Sequence, residues 1–133
     1  MRIFGIGTDI VEIKRVKKTL KKKGLIQRLF NQKEINNCQK KINKFNCFAK
    51  RFAAKEAFSK ALGTGISKGI NFNEIIILNE KNGKPFIKLL DKTKKIVEKK
   101  ISNKKYKISL SLSDENNYAV AFVTITIWKE INL

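Results

Sequence analysis

The chain has 133 residues, of which 42% are hydrophobic; 30 Lys+Arg stand against 11 Asp+Glu, a formal net charge of +19, and there is no histidine. That length and apolar content imply one globular domain, residues 1–133, with a core that needs no staples, and they exclude a disordered chain. The missing histidine excludes an imidazole base and any histidine metal ligand, while the charge favours an anionic partner such as nucleic acid, an anionic membrane or an acidic protein; about half of the excess is assigned to a Lys/Asn/Ile-rich compositional drift.

Residues 2–6 alternate weakly and predict a short strand, with Gly5 and Gly7 marking a turn or a close backbone approach. The stretch MRIFGIGTDIVEI carries an acid within its apolar run and no cleavage motif, so it does not read as a signal peptide. A helix is expected over 11–23, capped by Thr8 or Asp9 and stopped by Gly24. Asp9 has two readings at this point: an N-cap that satisfies orphan amides, or a hard-oxygen ligand at a strand end.

Asn31 followed by Glu34 forms a capping-box pattern for a helix from Gln32 to about Lys41. Cys38 and Cys47 have no metal-ligand spacing and are expected as free thiols in a reducing, cytoplasmic setting.

The central stretch is FNCFAKRFAAKEAFSKALGTG, residues 45–65. Ala53, Ala54, Ala57 and Ala61 favour helix, no β-branched residue interrupts the run to Leu62, and Gly63 and Gly65 end it. The helix is apolar or small on nearly every side and therefore buried. Yet Glu56 lies only about 40° from Phe52 on a helical wheel, so its carboxylate needs a partner. Glu56 and Lys60 are either an i, i+4 ion pair or a metal ligand beside a phosphate-binding ammonium; spacing alone does not separate the two. The stretch 63–74 is polar and glycine-punctuated, either a plain connection or a phosphate cradle with Lys68 in reach.

Ile75–Leu78 and Pro85–Leu89 predict a β-hairpin turning at Asn82-Gly83. Asp91–Ile101 reads as an Asp-capped helix with a lysine-rich outer face. Residues 107–113 alternate strictly, placing Ile108, Leu110 and Leu112 on one face and Ser109, Ser111 and Ser113 on the other. Tyr118–Trp128 is a long apolar strand, hence central, and too short to cross a bilayer as a helix. Helices mixed with a mainly antiparallel sheet make the fold class α+β.

Three blocks, GIGTDIVEIKR at 5–15, RFAAKEAFSKALGTGI at 51–66 and SLSDENNYAVAFV at 111–123, together resemble the holo-acyl-carrier-protein synthases, a class of 4′-phosphopantetheinyl transferase. NEIIILNEKNGKPFI between them is similar to the family's hairpin. The resemblance implies transfer of the phosphopantetheine arm of coenzyme A to a serine of apo acyl carrier protein, releasing adenosine 3′,5′-bisphosphate and giving holo carrier protein for fatty acid synthesis. It implies Mg²⁺ held by Asp9 and Glu56, and Lys60, Arg51, Gly63 and Gly65 at the coenzyme A site. Arg15 is implied on the surface that meets carrier protein, and the assembly is implied to be a homotrimer with its sites at subunit boundaries. Arg51 is open between a phosphate ligand and a structural ion-pair residue.

The chemistry of a pyrophosphate agrees with this set. Mg²⁺ takes one or two carboxylates plus substrate phosphates, and an ammonium one turn away stabilises charge on the leaving phosphate. With no histidine, Glu56 acting through a water is the first choice for the proton acceptor, then a metal-bound hydroxide, then Lys60. One departure stands out: where the family commonly has a histidine opening the last block, this chain has Ser109, read as a hydrogen-bond donor to coenzyme A. The rival class, a basic nucleic-acid-binding domain, has the charge in its favour, but the nine phenylalanines sit mostly at core spacing and not among basic residues as stacking platforms.

Overall fold

A computed structural model describes residues 1–63 and 69–129. Gly65 and Lys68 of the glycine stretch lie outside these residues. In chain order the elements are β1 (Arg2–Glu12), α1 (Ile13–Leu20), α2 (Leu25–Leu29), α3 (Gln32–Gln39), α4 (Lys44–Leu62), a single 3-10 turn at Phe72–Glu74, β2 (Ile75–Asn79), β3 (Pro85–Leu89), α5 (Asp91–Lys100), β4 (Lys105–Glu115) and β5 (Tyr118–Trp128). Two antiparallel sheets result: β1-β5-β4, with β5 central, and the hairpin β2-β3. The α+β class and the central position of Tyr118–Trp128 are as the sequence predicts.

α4 lies across the inner face of the larger sheet. Ala121, Val123, Ile125 and Ile127 of β5 are buried beneath Ala53, Ala54, Ala57 and Ala61 of α4. The approach is backbone to backbone at two points. A Cβ on Gly5 would collide with the Ala61 carbonyl oxygen, and one on Gly7 with the Ala57 carbonyl oxygen. The two glycines therefore let the helix settle onto β1, which is the close approach their spacing suggests.

Five expectations are corrected. β1 does not end at residue 6 but runs to Glu12, because β5 supplies a paired partner along that length, from Arg2 opposite Ile127 to Glu12 opposite Tyr118. Asp9 therefore sits inside a strand opposite Ala121 and caps nothing; α1 begins at Ile13, with Glu12 in the cap position and no side-chain cap bond. Gly24, with φ of 80°, does not end a long first helix but precedes α2, a five-residue helix that the sequence pattern did not suggest. α5 is not capped by Asp91: Glu74 Oε1 accepts from the Thr93 backbone N–H at 3.3 Å and from its hydroxyl at 2.8 Å, so the cap comes from the preceding segment. Finally, Cys38 and Cys47 are not free thiols but a disulfide. The last turn of α3 and the first turn of α4 bring their Cα atoms to 5.5 Å, within the range a disulfide needs.

The Asn31–Glu34 capping box is present, with Lys33 N–H donating to Asn31 Oδ1 and Asn31 N–H donating to Glu34 Oε1, each at 3.0 Å. The hairpin turns as predicted, and Gly83 takes the left-handed φ of 89° there.

The outer face of the β1-β5-β4 sheet is apolar and open. Ile6 and Ile10 of β1 are 60% and 63% exposed, and Phe122 of β5 is 46% exposed. Ser109 and Ser111 share this face, opposite Thr124 and Phe122 respectively.

Candidate active site

β1 and α4 meet at a cluster of three charges. Lys60, in the last turn of α4, donates to Asp9 Oδ1 at 3.1 Å and to the Thr8 carbonyl oxygen at 3.0 Å. The bond to Thr8 fixes the ammonium on the strand backbone, while its side chain stays 55% exposed and free to meet a ligand. Asp9 is more enclosed, at 16%. The pair is possible because Gly5 and Gly7 bring α4 down onto β1.

Glu56 stands one turn before Lys60. Among the described residues it accepts no hydrogen bond and forms no ion pair, so Lys60 has gone to Asp9 instead of closing an i, i+4 pair. Burial pushes the Glu56 carboxyl above its ordinary range, the like charge of Asp9 pushes it further, and Lys60 opposes both. Two carboxylates held this way, one without a partner, form an under-neutralised anionic pocket. No third acidic or thiol ligand joins them among the described residues. A hard divalent cation that completes its shell with substrate phosphates and water fits such a two-carboxylate set.

Two clefts meet at Glu56. The first, of about 460 Å³, is lined by Asp9, Val11, Arg15, Val16, Leu29 and Phe52, and Arg15 sits exposed on α1 at its rim. The second, of about 500 Å³, opens between α2 and residues 70–73 and is lined by Arg28, Leu29, Phe52, Ile70 and Phe72. Arg28, Leu29 and Phe52 were not anticipated at the site. The signal for Phe52 was present, since it lies one turn before Glu56 on the same stripe.

Other sequence-predicted residues fall elsewhere. Gly63 ends α4 in the left-handed conformation, with φ of 83° and its N–H bonded to the Ser59 and Lys60 carbonyl oxygens. Arg51 lies on a different face of α4 and is only 4% exposed. Its Nη1 donates to Cys47 Sγ at 3.0 Å, its Nη2 to Asn79 Oδ1 at 3.1 Å, and its buried Nε has no partner among the described residues. It lines a larger cleft of about 930 Å³ with Lys40, Lys41, Lys50, Asn79 and Pro85. The structure therefore does not bring Arg51 to Asp9 within one chain. Nor does it bring Ser109, which is exposed on the opposite face of the sheet from α4.

Sequence reasoning also missed a buried pair next to the cluster. Lys55 and Glu34 both have side chains at 0% exposure, with Nζ to Oε1 at 2.7 Å. Burial pushes the Lys55 ammonium down to about 8 against the opposing pull of Glu34. The signal was a lysine on the buried Arg51–Phe58–Leu62 stripe with no acid within four residues except its neighbour Glu56, which faces elsewhere.

The family model of the 4′-phosphopantetheinyl transferase superfamily matches residues 5–123. The chain is 48% identical over 125 residues to the holo-[acyl-carrier-protein] synthase of Pelagibacter ubique, covering 94% of this chain and 98% of that one. Among solved structures it is similar to the holo-[acyl-carrier-protein] synthase of Neisseria meningitidis, with 39% identity, a TM-score of 0.83 and coverage of 93% and 98% of the two chains. It is also similar to that of Bacillus anthracis, solved in complex with coenzyme A (3′,5′-ADP), with 35% identity, a TM-score of 0.76 and coverage of 94% and 97%.

Proposed function

The chain belongs to the 4′-phosphopantetheinyl transferase superfamily, and on that premise we propose that it is the enzyme that transfers 4′-phosphopantetheine from coenzyme A to a serine of apo acyl carrier protein. The observation that carries this reading is the Asp9–Glu56–Lys60 cluster at the junction of two clefts, built from two of the three sequence blocks that carry the family resemblance. In the reaction the serine hydroxyl oxygen bonds to the phosphorus that bears the pantetheine arm. The pyrophosphate P–O bond breaks, and adenosine 3′,5′-bisphosphate leaves with the electron pair.

The residues have separable tasks. Asp9 and Glu56 are the ligands for Mg²⁺, which when bound supplies charge neutralisation to the pyrophosphate. Lys60, anchored on Thr8 and still half-exposed, stabilises the charge that grows on the leaving phosphate. Glu56 also receives the serine proton through a water, a role that no histidine is present to fill. Arg15 at the rim of the first cleft meets the acidic carrier protein, and the net charge of +19 speeds that encounter.

Arg51, Gly63, Gly65 and Ser109 belong to the coenzyme A site in this reading. Arg51 and Ser109 reach it only if a second copy contributes them, which agrees with a homotrimer that closes over the open apolar face bearing Ile6, Ile10 and Phe122. The same reading places the protein in the cytoplasm; no described helix is long and apolar enough to cross a membrane.

The test is incubation with coenzyme A, Mg²⁺ and apo carrier protein, followed by mass spectrometry of the carrier. One phosphopantetheine gained per carrier, with an equal amount of adenosine 3′,5′-bisphosphate released, is the expected result. An unmodified carrier, together with tight and salt-steep RNA binding, would instead favour the nucleic-acid reading.

A further inference from the structure

Lys55 is the most completely enclosed cation among the described residues, and its three bonds go to three different elements. Its Nζ donates to Glu34 Oε1 of α3 at 2.7 Å, to the Phe72 carbonyl oxygen of the 3-10 turn at 2.7 Å and to the Ile75 carbonyl oxygen of β2 at 2.6 Å. The Phe30 ring centroid lies 5.2 Å from the same nitrogen. Glu34 is equally engaged: Oε1 also accepts from the Asn31 N–H at 3.0 Å, and Oε2 accepts from the Ile77 N–H at 3.2 Å. Every hydrogen of the ammonium and both oxygens of the carboxylate have a partner.

Stability does not explain such a pair. A buried ion pair replaced by well-packed apolar residues is often neutral or more stable, because desolvation offsets the attraction. What an apolar pair lacks is direction. Three charge-assisted bonds fix both the rotation of α4 about its axis and the path of residues 72–75. Both matter at the site. Glu56 is the next residue along α4, so its direction follows that rotation. Residues 70–73 form the wall of the second cleft that faces Glu56, and Phe72 packs edge-on against Phe52 at 6.0 Å between ring centroids.

We propose that Lys55 and Glu34 are the positioning pair of the active site: they lock α4 to the 72–75 segment so that Glu56 stands against Asp9 where the two clefts meet. This rests on the role given to Glu56 above. Neither residue touches substrate; each acts through the placement of Glu56.

The experiment uses the double variant Lys55→Met/Glu34→Leu in the full-length chain. We expect it to fold but to melt lower than the parent: no lone charge is left buried, but the Phe72 and Ile75 carbonyls and the Asn31 and Ile77 N–H groups lose their partners. We expect its kcat to fall about ten- to a hundredfold, the scale of a misplacement near 1 Å, while the KM for carrier protein, set at Arg15, is unchanged. The rise in melting temperature produced by Mg²⁺ in the parent should shrink in the same variant. A double variant that is stable and keeps the parent kcat would overturn the proposal, leaving the pair a fold determinant only. Should the double variant fail to fold, Glu34→Gln decides: a folded Glu34→Gln with kcat lowered fivefold or more, by the same misplacement scale, supports positioning, and parental kcat overturns it. A parent protein that transfers nothing would overturn the functional reading, and this one with it, whereas an active parent beside an undisturbed variant overturns this one alone.

Discussion

Two charged groups on neighbouring residues of α4 have opposite fates. Lys55 meets Glu34 and two carbonyl oxygens at full burial, so its charge is spent entirely within the protein. Glu56, one residue on, has no partner among the described residues and faces Asp9. The first arrangement is closed and gives geometry. The second is left incomplete, and in the proposed function that incompleteness is what serves chemistry, because a site that already satisfied its carboxylates would have nothing with which to hold a cation or receive a proton. Lys60 lies between these extremes: one side is fixed on Thr8 and Asp9, and more than half of its side chain is open to solvent.

The contrast can be broken at either end. The largest effect is expected from Asp9→Ala and Glu56→Ala, each of which should abolish transfer while circular dichroism shows a folded chain. Fold loss in Glu56→Ala would mean that Glu56 belongs with the structural charges after all. Next comes Lys55→Met alone, which strands the Glu34 carboxylate without a counter-charge. A loss of about 3–5 kcal/mol in urea unfolding is expected, the usual result of removing one partner of a buried pair. Arg15→Glu sharpens the open end: the KM for carrier protein should rise several-fold, with the KM for coenzyme A little changed. Equal losses for both substrates would remove Arg15 from the docking surface. Smallest is Ser109→Ala, whose kcat should stay within about tenfold, roughly 1.4 kcal/mol, the size of a hydrogen bond. A loss of about a thousandfold would move the proton chemistry onto β4.

What was legible in the sequence divides along the same line. α4 was readable because its alanines, the unbroken run to Leu62 and the glycine stop are all local signals. Gly5 and Gly7 were readable as a close approach, though not what approached. Asp9 misled in one respect, since an aspartate after a short apolar run resembles a cap, and only pairing with β5, more than a hundred residues away, carries the strand past it. The partners that matter most are nonlocal. Glu34 is 21 residues from Lys55, and Asn79 is 28 from Arg51. Glu34 was read correctly as half of a capping box, and nothing in its neighbourhood revealed that the same oxygen also takes Lys55. The Cys38–Cys47 bond depends on the angle between α3 and α4, which no spacing encodes. α2 has only five residues and no buried side chain, so it left no periodic trace.

The claim at the centre is that Glu56 is held at a cost to the empty fold in order to serve a cation. Its carboxyl is pushed above the ordinary range, so the folded chain binds that proton more tightly than the unfolded chain does. The ionised group therefore costs stability at neutral pH, and that cost disappears as pH falls through the folded value toward the ordinary carboxylate range. The direct measurement is the melting temperature of the parent and of Glu56→Gln, with and without Mg²⁺, at neutral and at acid pH. We expect Glu56→Gln to melt higher than the parent at neutral pH without metal, to lose that advantage in acid, and to gain nothing from Mg²⁺ where the parent gains. A variant that is less stable than the metal-free parent at neutral pH, or that responds to Mg²⁺ as the parent does, would contradict it.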